Sequence, residues 1–249
     1  MKQRWKCYCA YDGTDFLGWQ SQAGGDTIQD IIESRLEAIF KEPIRIHGSG
    51  RTDSGVHARA QVFHFDADWP YESGALLRAF ASGLPASIQV FSAEIASGDF
   101  HARYSAKGKR YAYYCELGQT SPFDARYTWS LYKVHPDVEQ MNTAAQKLLG
   151  RRDFTALGAN RADGSKDNPM KNLRVLRFEQ AGTRLRLVTE GSGYLYKMVR
   201  ALMGTLLNVG LGKLSIEGLV EILQTKERTP LVHTAPAHGL FLEKVFYDE

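Results

Sequence analysis

The sequence predicts an α+β fold: two ferredoxin-like α/β-plait halves, residues 1–105 and 106–249, joined through one extended, mostly antiparallel sheet. Three observations predict it. The first half reads β-α-β-β-α-β by hydrophobic period, which is the ferredoxin-like order. The second half repeats that order of elements in outline, without sequence identity. A chain of 249 residues also carries enough apolar surface for one large core or two small ones.

Taken in order, residues 4–11 alternate and predict a strand, followed by the glycine-punctuated loop Y-D-G-T-D-F-L-G-W-Q. From Thr27 the period becomes helical, with Ile28, Ile31, Ile32, Leu36, Ile39 and Phe40 on one face. Thr27 is the predicted N-cap with Asp30 three residues on, and Pro43 forbids continuation. Strands are expected at Ile44–His47, Ala60–Phe65 and Ile88–Ile95, and a helix at Ser73–Phe80. In the second half Arg110–Glu116 and Thr128–Val134 read as strands, and Val138 to Leu149 as an amphipathic helix closed by Gly150. Leu173–Glu179 and Arg184–Thr189 form an expected hairpin about A-G-T. A long helix spans Leu195 to Val209, Ser215 caps another through Leu223, and Leu240–Tyr247 closes the chain as a strand. Gly158–Asn172 is polar and irregular, a long loop whose Arg and Lys content leans toward RNA contact.

Composition narrows the class. No apolar run approaches the roughly 20 residues needed to cross a bilayer, and no signal-like segment opens the chain, so a cytoplasmic protein is expected. Cys7 and Cys9 share one strand face and Cys115 is distant, which fits reduced thiols. No metal site is read, since no second ligand pair stands at zinc spacing from the C-x-C. The net charge of +3 does not by itself indicate a nucleic-acid binder. The distribution adds modest support: Lys107, Lys109 and Arg110 cluster among tyrosines, followed by Arg151 and Arg152, then Arg161, Lys166, Lys171, Arg174 and Arg177.

The most informative stretch is G-S-G-R-T-D-S-G-V-H-A, residues 48–58, where three glycines bracket Arg51 and Asp53 in a tight connection between strands. As a lone T-D-S-G it would be an ordinary turn, because Asp and Ser bond readily to nearby backbone. The whole string resembles the catalytic motif of the TruA-type tRNA pseudouridine synthases. Y-D-G-T-D-F-L-G-W-Q-S-Q, K-G-K-R-Y-A-Y-Y, G-S-G-Y-L-Y-K-M-V-R and A-P-A-H-G-L-F-L resemble further motifs of that family, in its order and spacing.

The resemblance implies an isomerase that converts uridine to pseudouridine at positions 38 to 40 of the tRNA anticodon stem-loop. It also implies the pseudouridine synthase fold, a homodimer and no cofactor. By the same resemblance Asp53 is the nucleophile, Arg200 the arginine that pairs with it, and Tyr111 the residue that stacks on the base. Arg51 fills the space left by the extruded uridine, and Leu240 lines the pocket. Read from the residues alone, Tyr111 and Leu240 also fit core positions, and Arg200, off the apolar stripe, also fits a solvated helix face. Tyr194 and Ala112 depart from the family pattern, at positions expected to lie away from the chemistry. Two other classes stay open: a non-catalytic RNA-binding module, and a metal-dependent phosphodiesterase using Asp53, His57, His64, Asp66 and Asp68, although their spacing matches no known ligand set.

Overall fold

The structure is a computed structural model in which residues 2–161, 164, 165 and 167–248 are described; Lys166 of the third basic run lies outside them. The chain divides into two compact units, Met1–Lys107 with Phe241–Glu249, and Gly108–Leu240. Each carries a sheet and helices, so the class is α+β.

In the first unit β1 (Gln3–Tyr11) buries Trp5, Cys7, Cys9 and Tyr11 and leaves the residues between them partly accessible. This is the alternation its sequence predicts. It pairs antiparallel with β3 (His57–Ala67) on one side, Cys7 opposite Phe63, and with β4 (Ile88–Ala96) on the other. Helix α1 (Ile28–Phe40) buries Ile28, Ile32 and Leu36. Its cap is as expected: Thr27 Oγ1 accepts the Asp30 N–H at 3.2 Å. Lys41, left-handed at φ 61°, ends the helix two residues before Pro43. The second helix, α2, covers Ser73–Ala81. The strand expected at Ile44–His47 reduces to β2 (His47–Gly48), which pairs with β3. Ile44 and Ile46 are buried all the same. The reason is that the backbone of Ile46 bonds to α1 side chains, its N–H to Glu33 and its carbonyl to Gln29, and so takes no part in a ladder. The order is thus β-α-β-β-α-β, to which β10 (Leu240–Phe246) adds a neighbour: Phe241 and Leu242 pair in parallel with His57 and Ala58.

The second unit is built on strands in the order β5 (Gly108–Glu116), β9 (Arg184–Gly191), β8 (Met170–Ala181), β7 (Gly150–Asp153). The strand expected at Thr128–Val134 is only β6 (Trp129–Ser130), because Lys133 turns left-handed and Val134 bonds back to Leu131. β7, which no alternation announces in G-R-R-D, pairs Arg152 with Lys171, so the last three residues of the expected loop belong to a strand. Helix α3 (Val138–Gln146) is capped by Asp137 and tied to β8 through Asn142, whose side chain bonds both the N–H and the carbonyl of Phe178. Helix α4 (Met198–Gly210) starts three residues later than its apolar stripe, because Lys197 is left-handed at φ 60°. α5 (Ile216–Thr225) follows its Ser215 cap. Among the described residues no helix is long and apolar enough to cross a membrane.

His64, on β3, is 3% exposed and its Nδ1 accepts the Ala102 N–H at 3.1 Å, which requires the unprotonated nitrogen. Burial, with His101, His47 and Arg4 nearby, lowers its pKa from 6.5 to about 4, against a weaker opposing effect of Asp66. Between those values the unfolded chain binds more protons than the folded one. Folding stability should therefore fall as the pH drops from 6.5 toward 4, by on the order of 3 kcal/mol for this group. Urea unfolding of wild type and His64→Gln across that range checks it: the variant's pH slope should be shallower.

Candidate active site

In the first unit the loop bearing Arg51 and Asp53 leaves Gly48 and returns to β3 at His57. It is clasped by the loop that follows β1. Trp19 N–H donates to the Thr52 carbonyl at 3.1 Å, and Ser54 Oγ donates to the Phe16 carbonyl at 3.1 Å. The Val56 N–H closes a turn on the Asp53 carbonyl at 3.1 Å. Two glycines make the fit possible. A Cβ on Gly18, which holds φ 89°, would stand 2.6 Å from the Thr52 carbonyl oxygen. One on Gly13 would stand 2.0 Å from the Val56 carbonyl oxygen. No side chain fits there. Asp53 is partly exposed and Arg51 exposed, its Nε donating to Gln20 Oε1 at 3.1 Å. Loop contacts thus fix the Asp53 backbone, and the residue keeps some access to solvent.

The histidines weighed as metal ligands have structural partners. His57 Nδ1 accepts the Gly13 N–H at 3.0 Å, and its ring stacks on Phe241 at 4.5 Å. Asp12 Oδ1 lies 3.1 Å from the same nitrogen, but it accepts from Thr14 N–H and Oγ1. His47, His64 and His101 cluster with centroids 4.6–5.6 Å apart: His47 stacks on His64, while His101 meets His47 at a tilt and His64 edge-on.

The second unit places Tyr111, Arg200 and Leu240. Tyr111 sits on β5 opposite Thr189, 8% exposed. Its ring meets Tyr194 edge-on at 5.2 Å. Tyr194, whose hydroxyl bonds Thr189 Oγ1 at 3.0 Å, is therefore a packing partner of Tyr111. Its spacing from G-S-G gave no sign of that contact. Arg200 lies in the first turn of α4 and is half-buried. Its Nε donates to the Ala235 carbonyl at 2.7 Å while its own carbonyl accepts the Ala235 N–H at 3.1 Å. It is an anchored residue and not a solvated one. The same A-P-A-H-G-L segment is tied to β5 by Tyr113, whose hydroxyl donates to the Pro236 carbonyl, and by the Tyr114 N–H on the Gly239 carbonyl. Leu240, 5% exposed, follows directly.

Comparison with known proteins accords with these motifs. The family model described as tRNA pseudouridine synthase matches residues 8–105 and 144–248. Curated relatives named tRNA pseudouridine synthase A include one from Lysinibacillus sphaericus (strain C3-41), 42% identical over 98% of this chain and 100% of its own. One from Latilactobacillus sakei subsp. sakei (strain 23K) is 39% identical over 99% of this chain and 100% of its own. A third, from Bacillus licheniformis (strain ATCC 14580), is 41% identical over 98% of this chain and 99% of its own. The chain belongs to the tRNA pseudouridine synthase family, isomerases that turn uridine into pseudouridine within tRNA.

Proposed function

We propose that this chain converts uridine to pseudouridine at positions 38, 39 and 40 of the tRNA anticodon stem-loop, with Asp53 as the nucleophile. The observation that carries the reading is Asp53 itself. It is the carboxylate of the family's motif, held by its backbone on both sides and partly open to solvent. The reaction exchanges the N1–C1′ bond for a C5–C1′ bond; C5 gives up its hydrogen and N1 gains one. A carboxylate can carry the detached fragment as a covalent adduct, as in retaining glycosidases. Attack at the ribose C1′ and attack at the base C6 both satisfy that balance.

The other roles follow the family motifs. Arg200 pairs with the carboxylate, which keeps it ionised and oriented. Tyr111 stacks on the uracil, an interaction worth roughly 1–3 kcal/mol per base, and Leu240 lines the pocket. A stem uridine must first be extruded at a cost of about a few kcal/mol, and Arg51 fills the vacated space. Its exposure suits that role. The chain acts as a homodimer that one tRNA spans, an assignment supported by the family resemblance. The tRNA substrate and three free, buried cysteines support a cytoplasmic setting.

tRNA transcripts tritiated at C5 of uridine test the reading. Wild-type protein should release tritium in proportion to target sites, equally with and without EDTA. Bound tRNA without release would favour an RNA-binding module. Chain cleavage abolished by EDTA would favour a phosphodiesterase.

A further inference from the structure

The Asp53 loop is glycine-rich and would be mobile alone, yet a buried polar network runs beneath it. Tyr11 OH lies 2.8 Å from Thr52 Oγ1, immediately before the nucleophile. Gln61 Nε2 donates to the Gly50 carbonyl at 2.9 Å and stands 3.5 Å from Tyr11 OH. Gln61 Oε1 accepts Ser49 Oγ–H at 2.7 Å. Ser49 and Gln61 are fully buried, Tyr11 is 4% and Thr52 7% exposed. Polar groups in so dry a place weaken a core unless they are satisfied, and when satisfied they select one conformation. Here they fix Ser49, Gly50 and Thr52 to the rigid strands β1 and β3, while the hydroxyl of Tyr11 is the far end of a side chain whose ring is already packed on Trp19 at 5.9 Å.

We propose that Tyr11 and Gln61 are positioning residues for the Asp53 nucleophile, acting through the Thr52 hydroxyl and the Gly50 carbonyl. The inference rests on Asp53 being the nucleophile. Its physical basis is that a displacement of about 1 Å at a reacting atom can lower a rate by about a hundredfold. The ring of Phe at position 11 would fill the same space and remove only the hydroxyl.

Single-turnover tritium release, measured as maximal rate and half-saturating enzyme concentration, tests it on the intact protein. Tyr11→Phe and Thr52→Val should each lower the maximal rate by about tenfold or more, with half-saturation within about twofold of wild type. Thr52→Ser, which keeps the hydroxyl, should recover most of what Thr52→Val loses. The double variant should be no slower than the slower single one, because both substitutions break the same contact. Gln61→Met, similar in size and without a donor for Gly50, should show the same split. A lowered Tm with an unchanged rate per folded enzyme would make the network merely structural and overturn the proposal. So would losses that multiply in the double variant, or a loss confined to half-saturation. If wild type released tritium and Asp53→Asn did so equally, the nucleophile assignment would fail, and this one with it. If Asp53→Asn is silent while Tyr11→Phe matches wild type, only the positioning role fails.

Discussion

Asp53→Asn should still bind tRNA at near wild-type affinity and release tritium from C5 about a thousandfold more slowly, or not at all. Asn has the shape of Asp, but one oxygen becomes an NH2 donor and its neutral amide is no nucleophile toward a sugar or base carbon. Removing an essential nucleophile lowers turnover by several orders of magnitude while leaving the binding surface in place. The affinity should survive because nucleic-acid binding draws largely on cationic contacts to phosphates, which this substitution does not remove. Filter binding in parallel with tritium release separates the two quantities. A slow variant that also loses tRNA would point to a displaced loop, not a missing nucleophile.

Gly18→Ala should be strongly damaging although it adds a single methyl group. The new Cβ must occupy φ 89° and would stand 2.6 Å from the Thr52 carbonyl oxygen and 3.1 Å from both the Asp53 carbonyl carbon and the Ser54 nitrogen. None of those is the free end of a side chain, so backbone has to yield on one loop or the other. Strain plus overpacking of this sort destabilises by about 2–3 kcal/mol. That corresponds to a Tm lower by about 5 °C or more for a chain of this size. If the Asp53 loop is the one that moves, the single-turnover rate falls by about a hundredfold as well. Gly24→Ala is the control, since a Cβ there meets nothing within 4 Å. It should change neither quantity measurably.

The sequence announced those elements whose physics is local. Thr27 and Ser215 cap the helices they were expected to cap, and the alternation of β1 gives its buried face directly. Elements decided by distant partners were less legible. Ile44–Ile46 has the composition of a strand, but two α1 side chains take the hydrogen bonds of Ile46, and β7 is a strand only because β8 lies beside it. The same division holds for the candidate site residues of each unit. Arg51 and Asp53 are visible as a motif, and so are Tyr111, Arg200 and Leu240. The hydroxyl of Tyr11, by contrast, sits on a residue whose periodicity says only that it is buried. Its distance from Thr52 is a product of the fold, as is the edge-on contact of Tyr194 with Tyr111. No pattern within a short window encodes either.

The parallel pairing of Phe241 and Leu242 with His57 and Ala58 has a consequence for biosynthesis. Nearby, Arg59 and Glu243 bond at 3.1 Å across 184 positions of the chain. A ribosome makes Asp53 early, but the strand that flanks the end of its loop emerges only after the whole of Gly108–Leu240. A nascent chain can form β1, β3 and β4 long before that point, yet β3 then has an open edge where β10 will lie. Such an edge invites wrong partners until it is covered. An incomplete chain therefore carries Asp53 without the strand beside the end of its loop.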